Sequence, residues 1–285
     1  MEAKPGYERT QYGMGTQYGM GTNPVTVPPA PGPPPGQGLP GQAPPVQWMP
    51  PPPTIVGCPP GLEYLTQLDQ ILVHQQVELL EAFTGWETQN KYQVKNALGQ
   101  QIFFASEESD LCMRQCCGPQ RGFTMHVVDN ANQEVIRVVR PFQCCSGCCW
   151  CADCCDHCAL TIAVEAPPGQ PIGHVRQRGS KWKAHYDILD ASFQPLLKIW
   201  GPCCFCQGIC CTCDIDFRLM TSDDSQQIGK ISKQWSGIGK EWYTNADNFG
   251  ITFPMDLDVK VKGTLLGALF LIDFMFFEQP KNNNN

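Results

Sequence analysis

Of the 18 cysteines in this 285-residue chain, all but Cys58 fall into three clusters. Cys112, Cys116 and Cys117 form the first. Cys144, Cys145, Cys148, Cys149, Cys151, Cys154, Cys155 and Cys158 form the second, and Cys203, Cys204, Cys206, Cys210, Cys211 and Cys213 the third. Thiols this dense can form disulfides, ligate metal, carry acyl chains, sense oxidants or simply be buried. The start, Met1-Glu2-Ala3-Lys4-Pro5-Gly6, has no basic stretch followed by an apolar run, so no secretory leader is expected. A reducing compartment is then expected, which argues against a disulfide framework. Zinc needs four tetrahedral ligands, typically from two C-x2-4-C knuckles. Cys145-x-x-Cys148, Cys151-x-x-Cys154 and Cys155-x-x-Cys158 have that spacing, and His157 could substitute. Dedicated zinc sites seldom double their cysteines, as Cys144-Cys145, Cys148-Cys149 and Cys154-Cys155 do. Paired thiols beside Trp150 look more like S-acylation substrates, each buried CH₂ adding ~0.8 kcal/mol of membrane affinity. Cys144, Cys145, Cys148, Cys149, Cys151, Cys154 and Cys155 are the candidate lipidation residues, covalent palmitate or Zn²⁺ being what the clusters would carry. The expectation is an intracellular protein held at a membrane surface.

A second chemistry-bearing stretch is Asn245-Ala-Asp247-Asn-Phe249-Gly250-Ile251-Thr-Phe253-Pro-Met-Asp256. It maps onto a twelve-residue EF-hand-type loop, which places oxygens at positions 1, 3, 5, 7, 9 and 12 and Gly at 6. Asn245, Asp247, Gly250, Ile251 (through its carbonyl), Phe253 and Asp256 take positions 1, 3, 6, 7, 9 and 12. Phe249 at position 5 cannot ligate, so any Ca²⁺ bound would be held weakly. The competing reading is a polar turn leading into a strand, because Ile251, Phe253, Met255, Leu257 and Val259 alternate. His126, His157, His174 and His185 show no nucleophile–base pattern, so no enzyme is expected. The formal net charge of −7 argues against nucleic-acid binding, which needs a basic surface.

The elements that must position these residues are mostly strands. Residues 1–60 read as a disordered Pro/Gly-rich tail: no charge falls between Arg9 and Glu63, and Thr10-Gln-Tyr-Gly-Met-Gly repeats from Thr16. Pro28-Pro29-Ala30-Pro31 fits a polyproline II ligand for SH3 or WW domains, or a spacer. Leu62, Leu65 and Leu68 predict a short helix, and Ile71 to Leu79 a strand. A strand–turn–strand layout then recurs from Tyr92, Met125, Tyr186 and Phe217, each with Asn, Asp or Ser at the turn. Further strands are expected at Leu160–Glu165 and Gly250–Val259. So many short strands predict a closed or nearly closed antiparallel sheet, with the cysteine clusters in its loops. The apolar run Gly263–Phe277, with Leu265, Leu266, Leu269, Phe270, Ile272 and Phe274, spans roughly 22 Å as a helix, short of a ~30 Å hydrocarbon core. It also contains Asp273. Both a helix enclosed by the barrel and a single membrane span with Lys260 and Lys262 on its flank fit this run.

Six stretches resemble the phospholipid scramblase family over essentially the whole chain. They are Pro59-Pro-Gly-Leu-Glu-Tyr-Leu, Asp69-Gln-Ile-Leu-Val-His-Gln-Gln, Glu165-Ala-Pro-Pro-Gly, Gly229-Lys-Ile-Ser-Lys-Gln-Trp, Ala246-Asp-Asn-Phe-Gly-Ile and Leu271-Ile-Asp-Phe-Met-Phe-Phe-Glu. The resemblance implies a mainly β, tubby-like closed barrel of about twelve strands around a C-terminal hydrophobic helix. On that basis the domain runs over 61–280, between the 1–60 tail and a disordered 281–285 end. It further implies calcium-stimulated, ATP-independent phospholipid scrambling and palmitoylation of the central cysteines. The implied address is the cytosolic face of the plasma membrane, single-pass type II or acyl-anchored, with the nucleus or other internal membranes as alternatives. The family's calcium segment falls on 245–256, with Asn245 where Asp is usual, and its nuclear import segment brings Lys230, Lys233 and Trp235. Because one short helix gives no polar path through a bilayer, scrambling would require a homo-oligomer or a deformed membrane. The other reading is an acylated module that binds lipid or signalling partners, its tail recruiting SH3 or WW domains.

Overall fold

A computed structural model describes residues 46–76, 89–143, 151–154, 157–180, 183–202, 215–234 and 248–277. Twelve antiparallel strands close into one barrel, each hydrogen-bonded to its chain neighbours, with β1 and β12 sealing the ring. In order they are β1 (Gln70–Gln76), β2 (Lys91–Lys95), β3 (Gln101–Glu108), β4 (Phe123–Val128), β5 (Glu134–Arg140), β6 (Thr161–Glu165), β7 (Pro171–Gln177), β8 (His185–Asp190), β9 (Pro195–Trp200), β10 (Ile215–Thr221), β11 (Gln227–Gln234) and β12 (Asn248–Thr252). Alternation sets the inward face: Phe123, Met125 and Val127 are buried while Thr124, His126 and Val128 are less so.

The two barrel ends differ. At one end β2–β3, β4–β5, β6–β7, β8–β9 and β10–β11 are joined by tight hairpins, each with a bulge beside the turn. Three of the turns share one chemistry. Asn96 accepts from the Leu98 and Gln100 N–H groups, Asp129 from Ala131 and Gln133, and Asp190 from Ser192 and Gln194. A left-handed residue then follows at Gly99, Asn132, Phe193 and Asp224, as a type I turn plus bulge requires, whereas Gly169 sits one place earlier in its turn, where a type II turn needs it. The 3-10 turn Leu62–Gln67 also lies at this end. The other end carries every longer connection: 77–90, 109–122, 141–160, 178–184, 201–214 and 235–247.

Helix α1 (Leu111–Cys117) belongs to the second of these connections. Helix α2 (Val259–Phe276) starts at the tight-turn end and runs up the barrel axis. Asp258 caps its start by accepting from the Lys260 N–H. Apolar on all sides, the helix must be enclosed: Leu265, Leu266, Leu269, Phe270, Ile272 and Phe274 are all buried. Among the described residues no helix is long and apolar enough to cross a membrane. Of the two readings of 263–277, the structure shows the enclosed one: strands surround this run, and the helix begins at Val259. Close packing needs missing side chains, since a Cβ on Gly267 would meet Val164 Cγ2 at 2.6 Å and one on Gly173 would meet Leu189 O at 2.7 Å.

The two buried charges of α2 are satisfied. The Asp273 carboxylate accepts from the Tyr92 hydroxyl at 2.5 Å. The Lys262 ammonium donates to the carbonyls of Leu65, Leu68 and Met255 (3.0, 2.7 and 2.7 Å), tying the helix to the 3-10 turn.

Three other expectations change. The strand expected over Gly250–Val259 ends at Thr252, because the chain turns at Pro254, with Leu257 N–H donating to Pro254 O, before α2 begins. Cys112, Cys116 and Cys117 lie on α1 and not in an irregular loop. The chain also meets the barrel before residue 60: Gln101 N–H donates to Gln47 O, and Met49 N–H to Gln101 O, at 2.8 Å each. Residues 1–45 and 278–285, which include most of the expected tail and the 281–285 end, lie outside the described residues.

Candidate membrane-contacting end

All three cysteine clusters belong to connections at the long-connection end, where α2 also terminates. In the first cluster, Asp110 caps α1 by accepting from the Met113 N–H at 3.0 Å. Arg114, on the inner side, donates to Ser109 O and Oγ at 2.7 and 2.9 Å. Cys112 and Cys116, four residues apart, share the opposite face and are exposed. Beneath α1 the fully buried Glu107 and Arg121 pair through two contacts of 2.7 and 3.0 Å. Burial alone would raise the Glu107 carboxyl, but the Arg121 guanidinium, the Ser109 hydroxyl and the Asn90 N–H hold it below the ordinary carboxylate value. The guanidinium in turn lies 4.6 Å over the Phe274 ring, which joins this floor to the end of α2.

The second cluster is anchored by a residue that spacing alone does not single out. Cys151–Cys154 form a turn closed by Cys154 N–H donating to Cys151 O at 2.9 Å. Ala152 is fully buried. Asp153 accepts from the Gly179 N–H at 2.8 Å and pairs with the Arg178 guanidinium at 3.2 Å. Cys151 and Cys154 are exposed on either side of this tether, and Cys158 is part-buried. Cys144, Cys145, Cys148, Cys149 and Cys155 lie outside the described residues, as does the third cluster. Among the described residues no group of three or more His, Cys, Asp or Glu could hold a metal ion.

The described calcium-loop residues lie in a strand and in the turn after it. Gly250 and Ile251 sit within β12, paired with Leu72 and Ile71 on one side and with Ser232 and Ile231 on the other. Five consecutive positions, Asn248–Thr252, are extended, about 14 Å of strand where a wrapped ion needs a sharp turn at Gly250. Phe253 is buried, and Asp256 lies beyond the strand, near the start of α2. Asn245 and Asp247 are outside the described residues. The described part of this segment does not fit an EF-type calcium site. The import segment is likewise a ladder strand: Lys230 pairs with Asp216 at 3.0 Å, and Lys233 lies 4.3 Å over the Phe277 ring. Trp235 is outside the described residues.

The family model described as Scramblase matches residues 49–279. The chain belongs to that family. It is 52% identical to phospholipid scramblase 1 of Homo sapiens, over 82% of this chain and 70% of that protein. Bos taurus phospholipid scramblase 2 is 51% identical over 86% and 80%. Homo sapiens phospholipid scramblase family member 5 is 49% identical over 78% and 79%. A solved structure of a protein from Arabidopsis thaliana overlays at a TM-score of 0.37 with 7% identity, over 73% of this chain and 94% of that one, too slight a likeness to bear on the fold. The closed twelve-stranded barrel around a C-terminal helix agrees with what the sequence resemblance implies.

Proposed function

We propose that this chain moves phospholipids between the leaflets of a membrane to which its long-connection end is held. One observation carries the placement: every long connection, with all three cysteine clusters, leaves the barrel at the end where α2 stops. Lipid transfer down a gradient releases free energy, so the proposed activity needs no ATP. Acyl chains on Cys144, Cys145, Cys148, Cys149, Cys151, Cys154 and Cys155 would supply the tether, two or more being enough for stable anchoring. With α2 occupied inside the barrel, the path for headgroups would come from local deformation of the bilayer or from several copies acting together. The cytosolic face of the plasma membrane is the proposed address, and the Pro-rich segment a proposed ligand for SH3 or WW domains. Calcium stimulation stays in the proposal; because Asn248–Thr252 are held extended in β12, Asp256→Asn should leave any calcium response unchanged.

The enclosure of α2 favours a second reading, an acylated module that binds lipid or signalling partners and moves little lipid itself. Reconstituting the acylated full chain into vesicles with labelled lipid, with and without calcium, separates the two. Label from the inner leaflet should become accessible to a membrane-impermeant quencher. Unchanged asymmetry at every calcium concentration would leave only the module.

A further inference from the structure

The central thiols are not alone at their end of the barrel. Cys112 and Cys116 stand exposed on one face of α1, turned away from the Arg114 anchor on the other. Leu111, beside Cys112, is 49% exposed, and Phe142, where β5 runs out at the same end, is 46% exposed. Both apolar side chains belong to the end that would meet lipid. The Cys151–Cys154 turn is held at the same end by Asp153, so two separately anchored elements present thiols together. The tight-turn end is different. Apolar side chains are exposed there too, among them Ile55, Val56, Leu98, Phe193 and Met255, but the described thiol near them, Cys58, is part-buried and donates to Pro59 O at 3.5 Å. Burial, then the Glu63 and Asp258 charges, push the Cys58 thiol up and away from the reactive thiolate.

We infer that Cys112 and Cys116 on α1 are a second S-acylation site, taking long-chain acyl groups that enter the same lipid surface as those of the central cluster. The inference rests on the membrane-surface reading above. In the reaction the Cys Sγ attacks the carbonyl carbon of a long-chain acyl-CoA. The S–H bond and the acyl bond to coenzyme A break, a new thioester forms, and the proton leaves on the coenzyme A thiol. No electrons are exchanged. One anchored element would leave the barrel free to tilt, whereas two, on different connections, fix which end faces the bilayer and at what angle. A single chain binds only marginally, so chains at two places also lengthen residence on the membrane.

The test uses the full chain expressed in eukaryotic cells, with thioesters cleaved by hydroxylamine and the released thiols mass-tagged. One variant replaces every cysteine of the second and third clusters by Ser and keeps α1 intact. It should still acquire up to two hydroxylamine-dependent tags, and Cys112→Ser with Cys116→Ser in that background should remove them. Mass spectrometry of the 111–117 peptide from the unsubstituted chain should show the acyl adduct, a readout that does not depend on how a variant folds. Tags on the unsubstituted chain but none on the variant keeping α1, with an unmodified peptide, would overturn this inference and leave the central tether standing. No tags on any chain would overturn both.

Discussion

Among single residues, the buried polar pairs around the end of α2 make the sharpest claims. Tyr92→Phe removes the hydroxyl that donates to Asp273 and should cost about 1.5–3 kcal/mol, read as a lower urea midpoint at unchanged slope. Glu107→Gln leaves the buried Arg121 guanidinium without its counter-charge and should cost about 3–5 kcal/mol. The pH dependence has a definite sign. Since folding holds Glu107 below its unfolded value, its contribution is fully present above about pH 4.3 and is lost as pH falls through the folded value. Stability of the Gln variant should therefore change less than that of the parent over that acid range. His126 behaves oppositely. Partial burial lowers it, but the Glu108 and Glu134 carboxylates at 2.8 and 2.7 Å outweigh that and raise it. Its contribution is present below about pH 6.5 and is lost as pH rises through the folded value. An NMR titration of the imidazole should show a midpoint above the ordinary one, and a midpoint below it would refute the pairing. Both partners are partly exposed, so the stability effect should stay within about 1 kcal/mol.

For the elements, α2 depends on close approach at its middle and on a tie at its start. Gly267→Leu should cost about 1–3 kcal/mol by overpacking against Val164, and Lys262→Met a similar amount by taking the ammonium from three carbonyls, two of them in buried contacts. Thermal unfolding of the two variants checks both. What is legible in the sequence follows from how local each signal is. The hairpins from Tyr92, Met125 and Tyr186 can be read because Asn96, Asp129 and Asp190 mark the turns within a few residues. Alternation from Ile251 to Val259 misleads, because the period continues through Pro254 and into a helix whose start Asp258 announces. Helix α1 escapes a periodicity search since seven residues hold too little repeat, although Asp110 before it and Gly118 after it are the usual start and stop signals. β7 shows no alternation either, because four successive residues, Ile172 to Val175, are buried. The Asp153 tether joins residues 26 apart in sequence, Asp153 and Gly179, and no local pattern encodes it.

Taken whole, the molecule has one plain end and one chemical end. The antiparallel up-and-down order sends every second connection to the same side, so the connections that carry the clusters, spread over about a hundred residues of sequence, all leave one end of the barrel. This division makes acyl chains, and not α2, the proposed attachment. Replacing Cys112, Cys116 and the cysteines of residues 144–158 by Ser should move the protein into the soluble fraction after cell lysis, whereas tight membrane retention of that variant would return α2 to the role of anchor. The most direct measurement follows α2 itself on the membrane. Phe270 is fully buried against Tyr92, with ring centroids 5.1 Å apart, and Phe270→Trp in the acylated chain places a fluorescent reporter there. Bound to vesicles containing bromine-labelled lipid, the introduced indole should emit as it does without the label, since the barrel keeps the helix from the acyl chains. Strong quenching by bromine deep in the bilayer, beyond that of the unsubstituted chain, would mean that the helix has left the barrel to enter the membrane, and would contradict the account.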